Sequence, residues 1–132
     1  MIRQGSLRGD AMQMIGMIFV GLVAAEHLYF LYLEMFAWTR PTTRRAFGLT
    51  AEFAEASKAL AANQGLYNGF LAAGLIWSLL QADAAFAFQL KCFFLGCVIV
   101  AALYGAYSAK LRILWLQGGP AAAALALTLY AR

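Results

Sequence analysis

Glu26, His27 and Glu34 stand inside AAEHLYFLYLEMF (24–36), a run otherwise apolar enough to sit in lipid. Carboxyl and imidazole groups hold and move protons, so their chemistry is general acid–base work on a molecule that reaches an apolar interior. On a helix, His27 and Glu34 point within about 20° of one another and form a stripe with Leu31 and Trp38. Glu26 points about 100° from His27, on the edge of Tyr29, Phe30 and Leu33. The carboxylates are therefore not an adjacent pair, and Glu26 needs a partner of its own.

A second group lies in NQGLYNGF (63–70). Asn63, Gln64, Tyr67 and Asn68 are the candidate ligand-orienting residues, with Trp38 from the first segment and Gln117 from a late one. Gln64 and Asn68 are one turn apart, beside Gly65 and Gly69, a small-xxx-small pair that lets another helix approach closely. Tyr104 and Tyr107 are further candidates for the outer layer, or interface anchors. With helix ends near Trp38 and Lys58, Glu34 lies roughly 6 Å from the connecting loop, level with Asn63 and Gln64 at about 8 to 9 Å. Glu26 and His27 lie roughly 16 to 18 Å in, level with Asn68 at about 15 Å. Each ionisable group near a bilayer centre costs about 2.5 to 3.5 kcal/mol on insertion scales. A hydrogen-bond network that holds two helices in register would offset that cost. So would a pocket or pathway that holds protons or a ligand, and that reading is preferred.

These residues must be positioned by membrane helices. The 132-residue chain is 64% hydrophobic and 12% charged, with a mean hydropathy of +0.71, against about a quarter charged in soluble domains. Four windows approach the roughly 20 apolar residues that span a bilayer: 14–38, 58–80 within a helix expected over 51–80, 84–107 and 111–130. The expected fold is all-α, an up-down-up-down bundle of four transmembrane helices in one domain, with short loops and an interfacial start to the second helix. The charged N-terminus followed by an apolar run resembles a secretory signal, but hydrophobicity continues to Trp38, so no cleavage is expected.

Pro41 pushes Arg40 out of helical geometry and ends the first helix. Thr50 is the expected N-cap of the second, with Glu52 and Glu55 in its first turns complementing the helix dipole. Gly118, Gly119 and Pro120 predict a kink or an unwound turn in the fourth. Cys92 and Cys97 fall on one helix at a spacing that makes a disulfide implausible. Arg40, Arg44, Arg45, Lys58, Lys110 and Arg112 flank one side of the membrane, and Arg3, Arg8, Lys91 and Arg132 the other. The bias puts the first loop in the cytoplasm and both termini outside. The positive charge reads as topology rather than nucleic-acid binding.

EHLYFLYLEMFAWT, FGLT and NQGLYNGFLAAGL resemble the small bacterial membrane proteins of domain-of-unknown-function family 1304, over roughly residues 14–130. QGGP at 117–120 looks like that family's Q-G-x-P element, and the polar N-terminal extension is the one departure. The resemblance implies a four-helix integral membrane protein. It matches Glu26, His27, Glu34, Trp38, Asn63, Gln64, Tyr67 and Asn68 to the family's motif positions, and it implies no activity.

The function expected is binding of a hydrophobic or lipid-like molecule in a polar-floored pocket, with His27, Glu34 and Glu26 as the catalytic candidates for isomerase, epimerase or hydratase chemistry. Sterol isomerases of the emopamil-binding type offer an analogy. The alternatives are a proton-coupled transporter acting as a homodimer, whose contact Gly65 and Gly69 would supply, and a structural subunit without chemistry. Glu26, His27 and Glu34 are too poor in nitrogen and sulfur for zinc. No metal or other cofactor is expected. The expected partners are the bilayer of a bacterial cytoplasmic membrane, crossed several times, and the small molecule.

Overall fold

The computed structural model describes residues 2–132, with side chains from residue 7 onward. The side chain of Arg3, used in the charge count, lies outside the described residues. Among these residues the chain forms five α-helices and no strand: α1 (Ile2–Phe36), α2 (Pro41–Phe47), α3 (Ala51–Leu80), α4 (Ala84–Ser108) and α5 (Gly119–Tyr130). A π-helical turn, Leu114–Gly118, leads into α5.

Local chemistry sets these boundaries. Pro41 opens α2 at a position where its missing N–H is no loss. Gly48 closes it with φ 70°, a left-handed conformation that glycine adopts without a Cβ penalty. The Leu49 N–H then donates to the Arg44 carbonyl at 2.8 Å. Thr50 caps α3 as expected, its Oγ1 accepting from the Phe53 N–H at 3.1 Å. Asp83 caps α4 in the same way, accepting from the Phe86 N–H at 2.8 Å. The widened turn at Leu114–Gly118 falls where the Gly-Gly-Pro run foretold a break.

Two helices, Leu7–Phe36 within α1 and the whole of α4, are long and apolar enough to cross a membrane. The other two expected windows fall short for separate reasons. α3 has 30 residues, but Asn63, Gln64 and Asn68 lower its apolarity. The last window is divided between the π-turn and a 12-residue α5. The first helix begins well before the expected residue 14, and α2 occupies what read as a loop.

The chain forms two compact units, residues 25–72 and residues 1–24 with 73–132. α1 and α3 each contribute to both. The larger unit is built around small residues: Ala87, Ala102, Ala121 and Ala124 are buried together with Leu75, Leu95 and Val98. Such residues allow helix backbones close approach where lipid offers no hydrophobic gain for association. Gly74 is the tightest of these contacts. A Cβ built there would lie 2.2 to 2.4 Å from three carbons of the Phe94 ring, so the ring occupies the place of the missing side chain. Gly96 on the neighbouring helix has nothing within 4 Å of the same position.

Gly74→Ala is therefore expected to lower stability by about 1 to 3 kcal/mol through overpacking, with partial recovery when Phe94→Leu is added. Gly96→Ala should cause no loss. Thermal unfolding of the purified protein in detergent checks all three.

Candidate functional site

The smaller unit holds most of the residues singled out in the sequence. Its organising contact joins α1 to α3: the Asn68 side-chain Nδ2 donates to Glu34 Oε2 at 2.7 Å. Glu34 is 9% exposed and Asn68 is half-buried, so this bond is largely shielded from solvent. Two glycines let the helices close enough to form it. A Cβ on Gly65 would lie 2.8 Å from Met35 Cγ, 3.0 Å from Glu34 Cβ and 3.2 Å from the Leu31 carbonyl oxygen. One on Gly69 would lie 2.6 Å from Leu31 Cδ1. The small-xxx-small pair thus packs within the chain, against Leu31, Glu34 and Met35.

This pairing corrects the expected depths. Glu34 meets Asn68 rather than the Asn63–Gln64 level, a register offset of about one helical turn. The error came from assuming matched helix ends at Trp38 and Lys58. α1 ends at Phe36 and α3 begins at Ala51, and the glycines, not the ends, set which residues oppose each other.

His27 and Glu34 are buried on α1, as is Ala37 just beyond its end. His27 is 1% exposed and meets the edge of Phe30, ring centroids 5.8 Å apart. Glu26 lies to the side of His27 and Glu34, half-buried, and makes no hydrogen bond or ion pair among the described residues. On α3, Asn63, Gln64 and Tyr67 are exposed, and Tyr67 meets Phe70 in an edge contact at 5.9 Å. The structure brings Glu34 and Asn68 together. It does not turn Gln64 toward α1 beside Asn68, because Gly65 and Gly69 occupy that contact face.

Trp38 anchors the connector. Its Nε1 donates to Ser57 Oγ at 3.0 Å, and that hydroxyl donates on to the Phe53 carbonyl at 2.6 Å. The Trp38 ring also meets Phe47 at 5.0 Å, tying the end of α2 to the segment that precedes it. Arg40 donates to the Tyr32 hydroxyl at 3.0 Å. Ser57 and Thr43, the latter 2% exposed, were not singled out from the sequence. An indole N–H on a half-buried tryptophan usually finds an acceptor, a signal that pointed to some partner for Trp38 but did not single out Ser57.

Gln117 lies in the π-turn of the larger unit, half-buried. Tyr104 and Tyr107, near the end of α4, are exposed. Cys92 and Cys97 are both free thiols. The larger unit also has a cleft of about 450 Å³ between α1, α4 and α5, and none of the sequence-predicted site residues lines it.

The family model described as "Protein of unknown function (DUF1304)" matches residues 21–129. The chain belongs to the DUF1304 family. It is 39% identical over 106 residues to "Uncharacterized protein YpaA" of Lactococcus lactis subsp. lactis (strain IL1403), covering 79% of this chain and 87% of that protein. No solved structure matches. The matched region includes the sequence-predicted candidates from Glu26 to Gln117.

In this DUF1304 chain, Trp38→Phe and Ser57→Ala are each expected to cost about 0.5 to 1.5 kcal/mol by breaking the connector bond. Limited trypsin digestion, read at Arg44 and Arg45, should then proceed faster than in the unsubstituted protein.

Proposed function

We propose that this chain is a multi-pass bacterial membrane protein that binds a lipid-soluble molecule above a polar floor made by Glu34, Asn68 and His27. The observation that carries this reading is the Glu34–Asn68 bond within an apolar helix pair. An ionisable group at such a place is costly and marks a functional site by default. Asn68 fixes one carboxyl oxygen of Glu34 and leaves Oε1 for a substrate proton. His27, seven residues away on the same stripe, is the second acid–base group, about 10 Å along the axis, and Glu26 is the offset third. An isomerase or epimerase moves its proton within a few ångströms, so Glu34 gives up a proton through Oε1 and takes one back from the same bound molecule, while His27 meets that molecule deeper along α1.

Exposed Leu22, Phe93 and Val100 support burial of α1 and α4 in lipid. The full topology proposed has four crossings in the cytoplasmic membrane, with α2 on the cytoplasmic side. The short α5 completes the fourth crossing together with the π-turn. With Cys92 and Cys97 replaced by alanine, Thr42→Cys should react with a membrane-impermeant thiol reagent only after spheroplasts are opened. Ala82→Cys should react in intact spheroplasts.

A second reading has an observation of its own. The close packing at Gly65 and Gly69 suits a structural subunit in which Glu34 and Asn68 only hold two helices together. Glu34→Gln separates the readings, since the amide keeps the size and an acceptor for Asn68 but carries no proton. The functional reading predicts a stable variant that fails to restore the membrane-lipid profile of a deletion strain. Full restoration by Glu34→Gln, with Glu34→Ala unstable, would leave only the structural role.

A further inference from the structure

The cleft in the larger unit has a chemistry separate from that of Glu34. Its walls come from the early part of α1, the first two turns of α4 and the end of α5. Gly16, Ala84 and Ala85 supply the room because they have little or no side chain. Met17, Phe88 and Leu127 form an apolar wall, while Lys91 and Arg132 line the same space. No acidic residue lines it, and among the described residues neither cation is in a salt bridge. Arg132 is held in place by Phe88, its guanidinium carbon 4.7 Å from the ring centroid, a cation–π contact that leaves the N–H fork available.

The position of the two charges is as informative as their sign. Lys91 is seven residues into α4, about 10 Å from its start. A lysine at that depth extends its ammonium toward the helix end while its methylenes cover apolar surface. Arg132 lies two residues past the end of α5. Both cations belong to one end of the helices that form the cleft, and the apolar wall continues inward from them. A free small anion would have no use for Met17, Phe88 and Leu127, and a neutral oil no use for two cations.

We propose that this cleft binds an anionic lipid, with its phosphate between Lys91 and Arg132 and the upper part of one acyl chain along Met17, Phe88 and Leu127. A volume of about 450 Å³ accommodates the headgroup and part of one chain, and the open side leaves the rest in the bilayer. The proposal shares only the membrane setting with the function proposed above and is independent of Glu34.

The test is native mass spectrometry of the full chain in neutral detergent, with phosphatidylglycerol, phosphatidylcholine of matched chains, or inorganic phosphate added. Retention of phosphatidylglycerol should exceed that of phosphatidylcholine by on the order of tenfold. Lys91→Gln with Arg132→Gln should reduce that preference to within about twofold, whereas Lys58→Gln with Lys110→Gln should leave it intact. Arg132→Gln alone, at an exposed position, serves if the double variant does not fold, and should lower the preference several-fold. Equal retention of the two lipids, or an unchanged preference in the variants at Lys91 and Arg132, would overturn the proposal. Displacement of the lipid by millimolar phosphate would overturn it in favour of a free-anion site.

Discussion

The smaller unit depends on one constraint: a carboxyl group on an apolar helix must be given a polar partner by the helix beside it. Glu34 has that partner in Asn68 at 2.7 Å. Such a bond is short-ranged, so it requires the backbones to approach, and Gly65 and Gly69 are what permit it. The polar pair and the glycines are one device. Without the glycines, side chains on α3 would strike Leu31 and Met35 before Asn68 reached Glu34, and without Asn68 the carboxyl would be buried next to apolar surface alone.

The connector carries the same logic toward the helix ends. Two long helices joined by 14 residues from Ala37 to Thr50 have many possible registers. Trp38, fixed by Ser57 on one side and Phe47 on the other, removes most of them. α2 is short and would not be stable alone. It exists because Pro41 and Gly48 define its ends and Phe47 is pinned against an indole. Register is thus specified twice, by a polar contact inside the unit and by an aromatic one at its edge.

Much of this was legible in the sequence because it depends on local pattern. The apolar windows of α1 and α4, the Thr50 cap and the break at Gly118–Pro120 each follow from a few neighbouring residues, and so did the shared face of His27 and Glu34. The pairing of Glu34 was not legible. Gln64 and Asn68 are both amides one turn apart, and choosing between them takes the interhelical offset, which no local signal encodes. α2 was missed because PTTRRAF has no apolar periodicity and owes its shape to Trp38. The cleft was missed because Lys91 and Arg132 are 41 positions apart, and each alone reads as a flanking charge.

A double-mutant cycle on Glu34→Ala and Asn68→Ala, read by equilibrium unfolding in detergent, tests the central claim most directly. The pairing predicts a coupling of about 0.6 to 1.7 kcal/mol, the range for hydrogen bonds between helices in membranes. Strict additivity of the two single substitutions would contradict it.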